Sequence, residues 1–228
     1  MLLQKISLHT AASIPEMQAF YTKTLGFALL GATNDAFEVQ IGDSKLHFHT
    51  THLVNKQPFY HFACNIPTNK VEEAAKWLAL RNIDCLQIRK TEVEEDDTVI
   101  AEFDDWNARA VYFYDPAGNI VEFIARLDSR YTSLKPFAAD SVISISEIGL
   151  ACANAKTYAA DLRTKYDLTS FQKSTNNDDF WALGADNGLF VISTESRTWF
   201  PTDKKVQHFP MKIAFKNRKN VDCEMEIF

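Results

Sequence analysis

Tyr112-Phe-Tyr-Asp-Pro-Ala-Gly-Asn-Ile-Val-Glu-Phe123 is the stretch of sequence that decides the fold. Asp115-Pro116 predicts the start of a tight turn, because proline presets the backbone angle of the first central residue of a turn. Gly118 and Asn119 complete the turn, since both residue types tolerate positive φ. The apolar runs on either side therefore predict an antiparallel β-hairpin.

Glu122 is the unusual residue of this hairpin. Side chains alternate along a strand, so Glu122 points to the face opposite Val121 and Phe123. Burying a charge is costly unless it is paired or bound to a metal. The local pattern leaves two interpretations open: a glutamate on a solvated face, or a buried metal ligand.

The hairpin resembles the signature of the vicinal-oxygen-chelate superfamily, which includes glyoxalase I, extradiol ring-cleaving dioxygenases and bleomycin-resistance proteins. There the last strand carries Asp-Pro-x-Gly-Asn-x-x-Glu, and the glutamate is usually a metal ligand. A second hallmark is a helix ending in Phe-Tyr-x-x-x-Leu-Gly-Phe, which Phe20 to Phe27 match. The resemblance implies an α+β fold of paired βαβββ modules that form an open, cup-shaped mixed sheet.

Composition indicates a globular protein. The chain has 228 residues, of which 46% are hydrophobic and 24% charged, enough for one or two cores. The net charge of −6 argues against a nucleic-acid-binding surface. We expect no membrane span, because no apolar run is long enough. The start of the chain has no signal-peptide layout and the four cysteines are widely spaced, which predicts a cytoplasmic protein with reduced thiols.

Four weak copies of one strand–helix–strand plan follow one another along the chain. The helices are predicted from apolar residues at helical spacing, and the strands from alternating or continuous apolar runs. The first copy has predicted elements at 3–10, 14–24, 27–31, 36–41 and 45–50, and the second at 59–66, 71–81, 84–90, 99–103, 108–114 and 119–125. The third has elements at 142–152, 155–165, 170–174, 179–183 and 189–194, and the fourth starts with a strand at 209–216.

The copies predict two domains. Residues 1–127 form a complete two-module domain, 128–140 a polar linker, and 141–228 a second, degenerate and incomplete domain. The fourth copy is too short for a helix and three strands. It leaves a sheet edge that another chain or the first domain would cover. We therefore expect either a homodimer through the C-terminal half or docking of this edge against the first domain.

The resemblance implies metal ligands on the first and last strands of each module. Leu46-His47-Phe48 matches Val121-Glu122-Phe123, so His47 takes a ligand position, and His61 takes another on the opening strand of the second copy. The implied ligands are His47, His61 and Glu122, a set that suits Fe, Mn, Ni or Zn. Lys5 occupies the fourth position, where the superfamily usually has histidine or glutamine. Glu147 replaces the opening histidine of the third copy, whose final strand lacks a ligand type, so this half is interpreted as structural or as a lid.

Lys5 leaves a second interpretation open. An ammonium group repels a divalent cation, so Lys5 could instead pair with Glu122, or bind an anionic substrate without a metal. Lys5 and His49 are predicted to line the substrate pocket. His9 and Tyr114 are the candidate proton shuttles, with an imidazole preferred near neutral pH.

Two functions follow from the resemblance. The first is a metalloenzyme that binds a small-molecule substrate through two vicinal oxygens, as a lyase, an isomerase or a ring-cleaving dioxygenase. The second is a metal-free protein that sequesters a small molecule, as bleomycin-resistance proteins do.

Overall fold

The computed structural model describes residues 1–51, 56–88 and 98–228, and strands dominate these residues. The elements of the first two repeats are β1 (Leu2–Thr10), α1 (Ile14–Ala19) with a π-helical turn (Phe20–Thr24), β2 (Ala28–Ala32), β3 (Ala36–Ile41), β4 (Ser44–Thr50), β5 (His61–Ile66), α2 (Val71–Ala79), β6 (Ile100–Phe103), β7 (Ala108–Tyr114) and β8 (Ile120–Arg126). A 3₁₀ turn (Ala139–Ser141) leads into β9 (Ser144–Cys152), α3 (Ala155–Tyr166), β10 (Phe180–Ala185), β11 (Gly188–Thr194), β12 (Met211–Lys216) and β13 (Asp222–Ile227). The α+β class and the βαβββ plan predicted from the sequence are confirmed.

Within the described residues, two predicted strands are present only as isolated bridges. The strand predicted at 84–90 lies partly outside the described residues, and its described part contributes bridges from Cys85 to Phe113 and from Ile88 to Thr98. The strand predicted at 170–174 is reduced to a bridge between Ser170 and Leu183. No helix among the described residues is long and apolar enough to cross a membrane.

Strand pairing joins the first repeat to the fourth, and the second repeat to the third. The six-stranded sheet has the order β13-β12-β1-β4-β3-β2, and the seven-stranded sheet has the order β10-β11-β9-β5-β8-β7-β6. The β1 strand pairs antiparallel with β12, and β5 pairs antiparallel with β9. Each sheet thus takes strands from both 1–127 and 141–228, so the predicted domain boundary does not separate the sheets.

The C-terminal hairpin closes the edge of the first repeat. The β12 strand has the bounds 211–216 and pairs with β1 of the same chain, from Leu2 opposite Lys216 to Leu8 opposite Met211. The backbone groups of β1 that face β12 are therefore paired within the chain. This pairing corresponds to the predicted docking of the C-terminal strands against the first domain. The homodimer stays a prediction.

The two sequence hallmarks meet in the core. The Tyr21 hydroxyl donates to Asp115 Oδ2 at 2.7 Å, and both residues are buried. Asp115 Oδ1 accepts from the backbone N–H groups of Ala117 and Asn119, which holds the turn, and Gly118 has φ +77°. The first helix and the β7–β8 turn are thus locked together.

The seven-stranded sheet is buried on both faces. One face packs in the core against the six-stranded sheet, and the other carries a second apolar cluster that includes Ala63, Ile124 and Trp199. Every residue of β8 is buried, so Glu122 is not on a solvated face. The alternative of a solvated glutamate is therefore wrong.

Candidate metal centre

His61, Glu122 and Glu147 meet on three adjacent central strands. Ala63 of β5 lies opposite Glu122 on β8 and opposite Glu147 on β9. Residues two apart on a strand share a face, so His61 points to the same side as Ala63. One ligand atom from each of the three side chains lies within 4.8 Å of the others, and all three residues are buried.

His61 presents one nitrogen to this cluster. Its Nδ1 lies 3.3 Å from the carbonyl oxygen of Ile120, and its Nε2 lies 3.6 Å from Glu122 Oε2. The contact to a carbonyl assigns the proton to Nδ1, which leaves the lone pair on Nε2. Burial lowers the pKa of His61 to about 4, so the imidazole is neutral near pH 7.

Glu122 has a carboxylate oxygen without a hydrogen-bond partner in the described part of the chain. Its Oε1 atom is buried and has no hydrogen-bond partner among the described residues. Burial raises the pKa of Glu122 well above its usual range, and the nearby charge of Glu147 raises it further. Tyr112 and Arg126 offset part of this rise. A buried carboxylate in this state is either protonated or balanced by a cation.

Glu147 has a cationic partner. Its Oε1 forms an ion pair with Nη2 of Arg126, whose Nη1 lies 3.4 Å from Asp186 Oδ1. Lys173 binds Asp186 in turn at 3.1 Å. Burial raises the pKa of Glu147, and the attraction of Arg126 opposes that rise. Arg126 therefore balances one of the two buried carboxylates.

A cavity of about 310 Å³ lies over the cluster. Six of its fourteen lining residues are Phe, Trp or Tyr, and the full lining consists of His61, Phe103, Trp106, Tyr112, Glu122, Ile124, Glu147, Phe180, Val191, Ser193, Arg197, Thr198, Trp199 and Phe200. Trp199 lies over His61, with ring centroids 5.3 Å apart. It packs against Gly149, where a Cβ atom would come within 2.6 Å of the indole. Only glycine leaves room for this indole position.

The structure divides the sequence-predicted residues between the two sheets. It brings His61 and Glu122 together, but His47 lies on β4 of the six-stranded sheet and is not part of the cluster. The predicted set of His47, His61 and Glu122 is therefore not assembled, because the first repeat pairs with the fourth instead of the second. Lys5 does not approach Glu122; it forms an ion pair with Glu38.

The other predicted pocket residues lie outside this cavity. His9 and His49 are on the six-stranded sheet with ring centroids 3.9 Å apart, and His49 is 5.6 Å from His47. Lys5 and His47 line a separate open cavity there. Tyr114 lines a cavity next to the aromatic one, and Lys204 lies 4.5 Å from its ring centroid.

Glu147 and Arg126 are the residues that sequence reasoning missed. The signal for Glu147 was present, since it stands on the ligand position of an opening strand. The sequence does not show that the third repeat pairs with the second, so it does not reveal that Glu147 lies beside His61 and Glu122.

The residues fit a divalent transition metal. One neutral imidazole and two carboxylates are donors that Fe, Mn, Ni and Zn accept. The orphaned Oε1 of Glu122 and the lone pair on His61 Nε2 are in the same buried cluster. A His ligand whose other nitrogen is held by a carbonyl is the usual arrangement at protein metal sites.

Comparisons with known proteins agree with the fold. The sequence model of the Glyoxalase/Bleomycin resistance protein/Dioxygenase superfamily matches residues 9–123. A "putative dioxygenase" from Bacillus subtilis subsp. subtilis str. 168 is 12% identical with a TM-score of 0.60, over 99% of this chain and 84% of that chain. A glyoxalase/bleomycin resistance protein/dioxygenase from Nocardioides is 18% identical with a TM-score of 0.44, over 59% and 89% of the two chains. A lactoylglutathione lyase from Agrobacterium tumefaciens is 18% identical with a TM-score of 0.40, over 53% and 90%.

No curated protein matches the chain. At these identities the likeness to solved structures concerns the fold alone. The family match covers half of the chain and includes both hallmark motifs. The chain belongs to the Glyoxalase/Bleomycin resistance protein/Dioxygenase superfamily.

Proposed function

We propose that this protein is a metal-dependent enzyme that acts on a small molecule through two adjacent oxygen atoms, as a lyase, an isomerase or a ring-cleaving dioxygenase. His61, Glu122 and Glu147 would hold the ion. The observation that carries the proposal is the buried Oε1 of Glu122, which has no hydrogen-bond partner among the described residues.

Charge balance supports the same assignment. The cluster holds two buried carboxylates and a neutral imidazole, and Arg126 supplies one positive charge to Glu147. Ionised Glu122 would remain uncompensated in a low-dielectric site, which is costly. A divalent cation would compensate it and would keep both carboxylates ionised at neutral pH.

The bound metal would supply Lewis acidity and a template for the two substrate oxygens. The chain's own residues prepare the site for this. The hydrogen bond from His61 to Ile120 fixes the orientation of the imidazole, and the burial of His61, Glu122 and Glu147 strengthens the electrostatic interactions among them. Burial, followed by the charges of Glu122 and Glu147, raises the pKa of Tyr112, so its hydroxyl stays protonated and remains a hydrogen-bond donor beside Glu122.

A specific observation favours a second candidate function. Glu147 already has an ion-pair partner in Arg126, and protonation of Glu122 would remove the remaining charge. The cup would then be a metal-free binding site for a small apolar molecule.

Metal titration separates the two functions. The protein is stripped with a chelator and dialysed against Mn(II), Fe(II), Ni(II) or Zn(II), and metal content and melting temperature are measured. An enzyme of the proposed type binds about one equivalent and is stabilised by it, because the ion binds the native state. His61→Ala should abolish both effects, whereas His208→Ala, an exposed control, should not. Less than about 0.1 equivalent of every metal would refute metal dependence and leave the binding protein.

A further inference from the structure

The walls of the cavity suit a flat, apolar ring. Phe103, Trp106, Phe180, Trp199 and Phe200 all line it. Aromatic side chains supply large apolar contact areas and prefer stacked or edge-to-face contacts with other rings. A volume of about 310 Å³ is at the small end for ligand pockets, which favours a single-ring molecule.

Arg197 is the only lysine or arginine among the described residues that line this cavity. It is exposed, whereas His61, Glu122 and Glu147 are buried, so it lies at the mouth and the cluster at the floor. Its guanidinium lies 5.0 Å from the centroid of the Phe180 ring. It makes no ion pair with any described carboxylate, in contrast to Arg126.

The backbone around Arg197 is held in place. The N–H of Arg197 donates to the carbonyl of Thr194 at 3.1 Å, and its carbonyl accepts from the N–H of Val206 at 3.0 Å. The next residue, Thr198, forms a bridge with Lys205. The Arg197 side chain therefore extends from an ordered turn, so less backbone conformational entropy is lost when its guanidinium binds a ligand.

Apolar aromatic walls and a guanidinium without an ion-pair partner among the described carboxylates together define a ligand. A guanidinium beside an apolar cavity attracts an anion, and its planar fork matches a carboxylate in a bidentate way. The same charge at the mouth would repel a cation. A neutral ligand would gain no charge-assisted contact with the guanidinium.

We infer that Arg197 is a specificity-determining residue, which selects small aromatic molecules that carry a carboxylate or similar anion at the end remote from the buried cluster. The inference rests on the proposed function only for the two oxygens that would face the metal. The ring and the anionic group are recognised by the walls and by Arg197, with or without a metal.

Calorimetric titration with matched probes tests this inference. In Mn(II)-loaded protein the probes are 3,4-dihydroxybenzoate and 3,4-dihydroxybenzyl alcohol, which share the ring and both vicinal oxygens and differ in charge. We expect the acid to bind about tenfold tighter, the effect of one charge-assisted contact of about 1.4 kcal/mol. Arg197→Gln should reduce this preference to about twofold or less, and Arg197→Lys should restore part of it. Arg163→Gln, which removes an exposed arginine of α3, should leave it unchanged.

Each outcome decides the inference. Equal affinity for acid and alcohol in the wild type, an unchanged preference in Arg197→Gln, or no binding of either probe at millimolar concentration overturns it. If the protein binds none of Mn(II), Fe(II), Ni(II) and Zn(II), the proposed function fails, and benzoate against benzyl alcohol in metal-free protein decides the role of Arg197 separately. If it binds one of the other metals but no Mn(II), the same two probes are compared in protein loaded with that metal.

Discussion

Glu122→Gln should stabilise the metal-free protein and destabilise the metal-loaded one relative to the wild type. Glutamine has the shape of glutamate and carries no charge. In the metal-free protein it removes a buried carboxylate whose pKa is raised by burial and by Glu147. In the metal-loaded protein it would remove one of the three proposed ligands. The sign of the change in stability caused by Glu122→Gln therefore depends on whether metal is bound.

The expected magnitudes follow from the environment of the side chain. Replacing buried ionic groups with neutral ones can stabilise a protein by about 1–4 kcal/mol, and Arg126 and Tyr112 place Glu122 in the lower half of that range. A gain of about 1–2 kcal/mol raises the melting temperature of a protein of this size by about 2–8 °C. At a metal concentration of about 100 times Kd the wild type gains about 2.7 kcal/mol, whereas a variant with about 100-fold weaker binding gains about 0.4 kcal/mol.

The pH dependence supplies a second check. The folded-state pKa of Glu122 is raised, so its contribution to stability is fully present below its unfolded value and is lost as pH rises through the folded value. The advantage of Glu122→Gln in chelator should therefore be largest at pH 8 and should vanish towards acid pH. His61, whose pKa is lowered by burial, destabilises both proteins as pH falls from 6.5 towards 4. Its Nε2 lies 3.6 Å from Glu122 Oε2, so this effect differs between the two proteins, and the advantage of Glu122→Gln is therefore assessed at pH 7 and 8.

Differential scanning calorimetry at pH 5, 6, 7 and 8, with EDTA or with Mn(II), measures both effects. Glu224→Gln is the matched control, because Glu224 is exposed on β13. This substitution should change neither the melting temperature in EDTA nor the stabilisation by Mn(II). If Glu122→Gln melts below the wild type in EDTA at pH 8, the interpretation that the charge of Glu122 is uncompensated in the metal-free protein is refuted. Equal stabilisation of both proteins by metal would refute the assignment of Glu122 as a ligand.

Three further perturbations test the architecture. Gly149→Ala places a methyl group where the Trp199 indole lies, so the tryptophan emission should shift to the red and 3,4-dihydroxybenzoate should bind more weakly. Tyr21→Phe leaves buried Asp115 without one of its hydrogen bonds, and urea denaturation should show a loss of about 1–3 kcal/mol; a loss below about 0.5 would contradict this contact. Deleting residues 211–228 uncovers the β1 edge, so light scattering should detect aggregates; a stable monomer would show that the edge needs no cover.

Local patterns predicted most of the elements. The Asp115–Asn119 turn and the β7–β8 hairpin follow from turn residues and from apolar runs, and the strand predicted at 209–216 is observed at 211–216. The helix predicted at 14–24 is present, with a π-helical second half that local spacing does not encode. The strand predicted at 170–174 has too little apolar alternation to pair along its length, and only one bridge remains.

The partners of each repeat could not be predicted in the same way. Which strand edges meet depends on contacts between residues far apart in the chain, and all four repeats present similar opening strands. Matching the first repeat with the second placed His47 beside His61. The observed pairing replaces His47 with Glu147, whose residue type and position on the strand were both visible in the sequence.

The two sheets differ in how they balance charge. On the open face of the six-stranded sheet, Lys5 pairs with Glu38, so the carboxylate beside His47 already has its cation. In the seven-stranded sheet, Arg126 supplies one cation to a cluster with two buried carboxylates. The number of imidazoles would favour the first location, but a divalent ion is stabilised where buried negative charge exceeds positive charge. We therefore expect the ion in the seven-stranded sheet, between Glu122 and Glu147.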